Sequence, residues 1–235
     1  DVDGDGTQDA EDDATGTITV NIGALDHIVI RDANGGGGNE VDTRTMTTDD
    51  SLTLWAAGYD SDNNYINDIS VTWGVTGSLD SVASGPSLNV TFAPSTAGTS
   101  GTITADDGSG HTDSTGTITV NVGAFDHVLV TDSPGGSEVD THTMTTDDSL
   151  TLYASGYDND GNYTGLVNVT WRYGTGVFDE EDMGGSVGTP VTGTGVTFDP
   201  NNTGSDTIWA DVDGDGTQDA EDDATGTITV NIGAL

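Results

Sequence analysis

The sequence contains no lysine and no cysteine, and its only permanently cationic side chains are Arg31, Arg44 and Arg172. The absence of cysteine excludes disulfides. The absence of lysine excludes Schiff-base chemistry, a phosphate-loop lysine and lysine–asparagine isopeptide cross-links. Three cations stand against 41 aspartates and glutamates, so the formal net charge is −38. Nucleic acid and anionic membrane surfaces repel such a chain, because their binders need clustered lysine and arginine.

Long apolar runs are also missing. No run approaches the roughly 18–20 residues of a membrane helix, so we expect no membrane insertion. No basic segment followed by an apolar one opens the chain, and we therefore expect a mature segment or an internal window of a longer protein. High net charge with 32% hydrophobic residues is also typical of disorder. The acids, however, cluster in short turns between segments that alternate apolar and polar residues, and this pattern favours a folded chain.

The chain repeats itself at two levels. Residues 1–25 recur without change at 211–235, which sets a period of 210 residues. Inside that period lie two diverged copies of one unit, which share the nine letters MTTDDSLTL at 46–54 and 144–152. Self-similarity at a fixed period indicates a tandem array. We expect three parts: the last strand and acidic loop of a preceding repeat (1–24), domain 1 (25–124), and domain 2 with an inserted acidic loop (125–235).

Within each unit, apolar and polar residues alternate. This period predicts strands with one buried face, and glycine, asparagine, aspartate and serine separate them. About seven strands in about 100 residues, with a tryptophan in the third, are typical of an immunoglobulin-like sandwich. The sequence therefore predicts an all-β fold of tandem immunoglobulin-like β-sandwiches arranged end to end, with Trp73 and Trp171 in the cores. In domain 1 the expected inward positions are Ile28, Ile30, Leu52, Leu54, Ala56, Ile69, Val71, Trp73, Leu88, Val90, Phe92, Ile103, Ala105, Ile118, Val120 and Val122.

The order of these motifs resembles bacterial Ig-like (Big-type) domains in tandem. The resemblance is carried by LDHIVI from residue 25, MTTDDSLTL from 46, VTW from 71 and GTITAD from 101, and it covers nearly the whole chain. Such domains build the stalks of giant adhesins and other surface proteins of bacteria and archaea. The resemblance implies the disulfide-free form of the fold and a location outside the cell. Its motifs are turn and core signals and are not catalytic.

The acidic loop of domain 2 reads DVDGDGTQDAED over 211–222. Acids at alternate positions and a glycine at position 6 wrap six to eight oxygens around one point, which is what calcium prefers. The loop resembles those of EF-hands, dockerins and thrombospondin type 3 repeats. It differs in having aspartate at position 12 and a strand directly after it. The predicted calcium ligands are Asp211, Asp213, Asp215, Thr217, Asp219 and Asp222, and in the first copy Asp1, Asp3, Asp5, Thr7, Asp9 and Asp12.

A third acidic pattern, DxDxN, occurs once in each domain. It is an ordinary tight turn in one interpretation and a second cation site in the other. Sandwich topology places the turn of domain 2 at the end that faces domain 1, opposite Asp49 and Asp50. Calcium at this junction would stiffen a rod, and we keep this as a hypothesis. The residues concerned are Asp60, Asp62 and Asn64 in domain 1, and Asp158, Asp160 and Asn162 in domain 2.

These observations predict a non-catalytic structural repeat of a long extracellular protein, forming a calcium-stiffened rod. An adhesin stalk, a surface-layer element and a filament shaft all fit, and the expected partners are neighbouring repeats or copies of itself. No nucleophile–histidine–acid spacing, phosphate loop or zinc triad supports an enzyme. One alternative is a filament subunit assembled by β-strand donation, with residues 15–22 as the donated strand. A second is a carbohydrate-binding module that uses Trp55, Tyr153 and Trp209, which the alternation places on outward faces.

Overall fold

The computed structural model describes residues 2, 4, 6–10, 12–174 and 176–234. Strands dominate it, and the described residues contain one short 3-10 helix, Glu180–Met183. The strands surround two separate hydrophobic cores, one built from Ile28 to Val120 and the other from Val128 to Val230. The all-β fold predicted from the alternation of apolar residues is therefore confirmed.

Domain 1 contains eleven strands in the described residues, several of them short. They are β1 (His27–Arg31), β2 (Arg44–Thr47), β3 (Leu52–Tyr59), β4 (Tyr65–Asp68), β5 (Val71–Val75), β6 (Pro86–Ser87), β7 (Asn89–Phe92), β8 (Thr99–Gly101), β9 (Ile103–Asp106), β10 (Thr112–Ser114) and β11 (Ile118–Asn121).

Domain 2 repeats the series. Its strands are β12 (His127–Thr131), β13 (His142–Thr145), β14 (Leu150–Tyr157), β15 (Tyr163–Leu166), β16 (Val169–Tyr173), β17 (Val191–Gly193), β18 (Gly195–Phe198), β19 (Gly204–Asp206), β20 (Ile208–Asp211), β21 (Asp223–Ala224) and β22 (Ile228–Asn231).

Two layers of strands make each domain an immunoglobulin-like sandwich. In domain 1, β3 is the centre of one layer and pairs with β1, β4 and β7. The other layer contains two sheets, β10-β9-β5-β6 and β2-β11-β8. They are joined where the Ser78 amide, after β5, donates to the Ser100 carbonyl in β8 at 2.9 Å. The first part of the chain joins both layers, because β1 pairs antiparallel with β3 whereas β2 pairs in parallel with β11. Domain 2 has the same pairings, with β12 on β14 and β13 in parallel on β22.

The predicted core tryptophans lie between the layers. Trp73 and Trp171 are 2% and 1% exposed. Each indole N–H donates to a backbone carbonyl, that of Ser87 in one domain and that of Gly193 in the other. Their burial therefore leaves no orphaned donor on the rings. The prediction of two core tryptophans is confirmed.

One expectation about a buried position was wrong, and the strand expected at residues 15–22 stays a prediction, because its own domain is not part of this structure. Leu88, expected to face inward, is 46% exposed, because it lies between β6 and β7, where the chain passes from pairing with β5 to pairing with β3. Residues 15–22, expected to form a strand, are not in one here. The same letters form β22 in domain 2, where β13 and β19 lie on either side of it. A strand needs such neighbours to satisfy its backbone groups, and residues 15–22 have none among the described strands.

Candidate metal centre and domain junction

The acidic loop of domain 2 joins β20 to β21, which are antiparallel neighbours in one layer. Asp211 is the last residue of β20, and residues 212–222 form the loop. The loop lies at the end of domain 2 where β12 begins, because the Val128 amide donates to the Glu221 carbonyl at 3.0 Å. The loop therefore projects from a rigid strand end beside the entry of the chain from domain 1.

Three of the predicted ligands converge. Single carboxylate oxygens of Asp211, Asp213 and Asp215 lie within 4.8 Å of one another. Asp211 is fully buried and accepts backbone hydrogen bonds from Gly214 at 2.7 Å and Gly216 at 3.0 Å. The left-handed backbone of Gly216, with φ +84°, allows the loop to fold back over Asp211 in this way. A carboxylate at the strand end thus organises the loop, and the other two extend from it.

A second group of three shares Asp213 with the first. Oxygens of Asp213, Asp219 and Glu221 also lie within 4.8 Å of one another. Burial first, and then the neighbouring charge of Asp219, raise the pKa of Glu221. The sequence analysis missed Glu221, because it occupies position 11 and not position 12 of the loop. The signal available in the sequence was a third acid, two residues after Asp219 and directly before Asp222.

The loop uses Asp222 and Thr217 differently from the other predicted ligands. The Asp222 carboxylate accepts hydrogen bonds from the Val212 amide at 2.8 Å and the Asp219 amide at 3.3 Å, so it closes the loop on itself. Burial is the main cause of its raised pKa. The Thr217 hydroxyl donates to Asp215. Neither residue belongs to the two carboxylate groups.

Arg172 is a second residue of the candidate site that the sequence did not predict. It lies on β16, the neighbour of β20, opposite Trp209. Its Nε donates to the Asp211 carboxylate, and its Nη2 donates to the Gly214 carbonyl at 3.0 Å. The guanidinium carbon also lies 5.7 Å from the centre of the Trp209 ring. One of the chain's three arginines is therefore placed against the cluster of acids.

The first copy of the loop is only partly described. Asp1, Asp3 and Asp5 lie outside the described residues. Asp12 accepts from the Val2 amide at 2.6 Å and the Asp9 amide at 3.2 Å, which matches the loop closure by Asp222. These hydrogen bonds lower the pKa of Asp12. Thr7 and Asp9 are exposed.

Asp158, in the turn between β14 and β15, lies at the junction of the two domains. Its carboxylate is fully buried. It accepts hydrogen bonds from Thr48 Oγ1 of domain 1 at 2.7 Å and from the linker amide of Gly123 at 3.0 Å. Within its own turn it accepts from Asp160 and from the backbone and side chain of Asn162. Burial raises its pKa, but these hydrogen bonds outweigh burial, and the pKa of Asp158 is strongly lowered.

Asn162 and Asp49 complete the contact. The Asn162 side chain accepts from the Ala97 amide at 3.1 Å and donates to the Ser95 carbonyl at 2.9 Å. Asp49 accepts from the linker amide of Ala124 at 2.6 Å. The structure therefore brings together the two turns that sandwich topology places face to face. Hydrogen-bond donors occupy the Asp158 oxygens, and Asp160 remains exposed.

Asp60 occupies the same place in domain 1. It accepts from the linker amide of Gly23 at 2.9 Å, and from the amides of Asp62 and Asn64 and the Asn64 side chain. Hydrogen bonds from Asn64 and Gly23 lower the pKa of Asp60 to about 2. Asp62 and Asn64 are exposed. The cation predicted at this turn, and at its counterpart in domain 2, stays a prediction.

The aromatic side chains expected on outward faces are less exposed than the alternation indicates. Trp209 is only 8% exposed, because Arg172 covers its ring. Trp55 and Tyr153 are half-buried. The expectation of a free tryptophan at position 209 was therefore wrong, and the described surface offers no flat indole there for a sugar ring.

No protein-family model matches the chain, and no curated protein matches it. Among solved structures, it is similar to the adhesin InvE of Yersinia pseudotuberculosis, with 18% identity over 81% of this chain and 56% of that one, at a TM-score of 0.29. It is also similar to the Escherichia coli adhesin FdeC, with 16% identity, coverage of 80% and 61%, and a TM-score of 0.33. The D00–D0 domains of intimin match with 13% identity, coverage of 87% and 99%, and a TM-score of 0.38.

The chain thus spans less than two thirds of the InvE and FdeC structures. InvE and FdeC are bacterial adhesins. At such identities a likeness concerns the fold alone, and the assignment of the fold rests on the strand order described above. In the described part of the chain, no helix combines the length and apolar character needed to cross a membrane.

Proposed function

We propose that this chain is a non-catalytic structural repeat of a long extracellular protein, with its domains stacked end to end. The observation that carries the proposal is the junction at Asp158. Five linker residues separate β11 from β12, and a buried carboxylate joins both domains and the linker. A buried, hydrogen-bonded carboxylate restricts how the domains move relative to each other, because breaking its contacts leaves an unpaired charge. A stalk, a surface-layer element and a filament shaft all need this stiffness.

We further propose that calcium binds the acidic loop of domain 2. The donor set consists of carboxylate oxygens, which a hard cation such as calcium prefers. Asp211, Asp213 and Asp215 would hold one ion, with Asp219 and Glu221 next to it. The pKa of Glu221 is raised first by burial and then by the charges of Asp219 and Asp213, and a cation would relieve the second of these causes. Calcium would supply charge neutralisation and cross-link the loop to the end of β20. By the same pattern, the loop at 1–12 would bind an ion in its own domain.

The stalk role is tested on the cell and in solution. An antibody raised against residues 25–234 should label intact cells of the source organism, and labelling only after permeabilisation would overturn the extracellular assignment. Small-angle scattering of the chain should give the maximum dimension of two domains in line. Addition of a chelator should shorten this dimension or broaden its distribution if calcium stiffens the rod. An unchanged profile would remove calcium from the proposal and leave the stacking in place.

Strand donation is the second candidate, and exposed apolar side chains favour it. Ile18, Val20 and Ile22 are 76%, 90% and 57% exposed. The counterparts of Ile18 and Val20 in β22, Ile228 and Val230, are 0% and 2% exposed, whereas that of Ile22, Ile232, is itself 80% exposed. The segment 15–22 would complete the sheet of another domain, either a preceding one or that of another chain. Light scattering distinguishes the two: concentration-dependent oligomers that Val20→Asp abolishes support donation between chains, and a monomer at all concentrations excludes it.

A further inference from the structure

The parts that form the observed junction occur again at the two outer ends of the chain. We call one end of each domain its threonine face. In domain 1 it lies at the β2–β3 turn and contains Thr48, Asp49 and residues 95–97. In domain 2 it lies at the β13–β14 turn and contains Thr146, Asp147 and residues 201–203. The aspartate face is the opposite end: Asp158–Asn162 in domain 2 and Asp60–Asn64 in domain 1. At the observed junction the threonine face of domain 1 meets the aspartate face of domain 2. This pairing leaves one face of each kind outward.

The outward aspartate face already has the geometry of the paired one. The Gly23 amide lies 2.9 Å from Asp60 Oδ2, and the Gly123 amide lies 3.0 Å from Asp158 Oδ2. The side-chain amide of Asn64 donates to Asp60 as that of Asn162 donates to Asp158. The incoming linker therefore runs along the aspartate face in the same way in both domains. At Asp158 a threonine hydroxyl of the preceding domain is added.

The outward threonine face presents the matching donors. Thr48 is 6% exposed at the junction, whereas Thr146 is half-buried. The Thr146 hydroxyl accepts from the Gly233 amide at 3.2 Å and keeps its own proton for donation. In both domains a linker glycine packs against the threonine face. A Cβ at Gly123 would lie 2.5 Å from an Asp49 oxygen, and a Cβ at Gly233 would lie 2.1 Å from an Asp147 oxygen. A side chain at either glycine would have to displace the aspartate carboxylate, so the two linkers approach the turns equally closely.

The charge of the chain favours this kind of contact over ion pairs. With three arginines against 41 acids, the domains have few basic side chains with which to pair the carboxylates of a neighbour. Neutral N–H and O–H donors stabilise a carboxylate without a cation, and such charge-assisted hydrogen bonds are stronger than those between neutral groups. A face of amide and hydroxyl donors is thus the complement of a buried aspartate in a chain of this composition.

We infer that the threonine face of domain 2 docks onto the aspartate face of a second copy of domain 1. Asp60 of that copy accepts from the Gly233 amide and the Thr146 hydroxyl, as Asp158 accepts from Gly123 and Thr48. The inference rests on the proposed role as a stacked repeat, and it names the contact that would carry stacking from one 210-residue period to the next. The same donor–carboxylate geometry would then occur at every junction of the array.

The test uses the full chain extended after Leu235 by a further copy of residues 26–124. Residual dipolar couplings measure whether domains share one alignment. We expect the added domain to share the alignment of domain 2, as domain 2 shares that of domain 1. The Gly233 amide should exchange its hydrogen at least about fivefold more slowly than in the unextended chain, because its acceptor changes from a hydroxyl to a buried carboxylate.

Substitutions identify the contact. Thr146→Val in the extended chain should free the added domain, and Thr48→Val should free domain 2 from domain 1 to a similar extent. Thr143→Val, on the exposed face of β13, is the matched control and should leave both alignments unchanged. If, in the extended chain without substitutions, the added domain aligns independently while domains 1 and 2 stay coupled, the inference is overturned and the proposed function is left intact. Independent alignment of domains 1 and 2 overturns both, and loss of coupling in Thr48→Val alone overturns the role of Thr146.

Discussion

Asp211→Asn tests how the acidic loop is held together. Asp211 is fully buried, and its Oδ2 accepts from both Arg172 Nε and the Gly216 amide, whereas Oδ1 accepts from Gly214. Asparagine has the same shape but replaces one oxygen by an NH₂ group. In one orientation this group faces the Arg172 and Gly216 donors, and in the other it faces the Gly214 amide. Either way at least one buried donor loses its acceptor, and the arginine loses its counter-charge.

The magnitude follows from these contacts. Breaking a buried ion pair by removing one charge costs about 3–5 kcal/mol. The Arg172 side chain is 27% exposed and can reach water, so the lower end applies. We therefore expect a loss of about 3 kcal/mol in the free energy of unfolding of domain 2. For a domain of this size that corresponds to a fall of roughly 12–20 °C in its melting temperature.

The assay is differential scanning calorimetry in excess chelator, so that no ion contributes. Asp213→Asn is the matched control, because it removes the same charge from the same cluster at an exposed residue. Its expected cost is below about 0.5 kcal/mol, as for ordinary surface substitutions. The transition of domain 1 is an internal reference in both variants. A cost for Asp211→Asn no larger than that for Asp213→Asn would refute the assignment of Asp211 as the organising residue of the loop.

Three further outcomes are expected. Millimolar calcium should raise the melting temperature of domain 2, by the equivalent of about 2.7 kcal/mol at a hundredfold excess over the dissociation constant; an unmoved transition in calorimetry contradicts calcium binding. Phe198→Ala should cost domain 2 about 3–5 kcal/mol in urea unfolding, because Phe198 is fully buried with its ring 4.6 Å from that of Phe178; a cost below about 1 kcal/mol contradicts the packing. Hydrogen bonds from the His111 side chain and the loop backbone lower the pKa of Asp107 from 3.8 to about 2. The ionised carboxylate therefore contributes its full stability above about pH 4, and this contribution is lost as the pH falls towards 2. Asp107→Asn should make the free energy of unfolding of domain 1 fall less steeply with pH over this range. An unchanged pH dependence excludes this contribution of Asp107.

Local patterns predicted the elements of the fold because their causes are local. Alternation of apolar residues placed Trp73 and Trp171 between the layers, where they are buried. The same reasoning failed at Leu88, which lies where the chain passes from pairing with β5 to pairing with β3. It also failed at Trp209, where an arginine from the neighbouring strand covers the ring. The failure at Trp209 arises from a neighbour that is distant along the chain.

In the candidate metal site, too, some residues were predictable from local spacing and others were not. The spacing of acids and glycine placed Asp211, Asp213 and Asp215 in one loop, and they do converge. Glu221 joined a second group because the return of the loop to β21 turns it inward and uses Asp222 for closure. Spacing alone does not determine which of two adjacent acids faces the centre.

By itself, the sequence determined the repeat, the all-β class and the position of the acidic loops, because periodicity and turn chemistry act over a few residues. Only the tertiary structure decided which groups meet. Arg172 reaches Asp211 across 39 residues because β16 and β20 are neighbours in one layer. Asp158 receives the Thr48 hydroxyl across 110 residues because two domains abut through a short linker. Such contacts depend on strand order and domain stacking, which no window of the sequence contains.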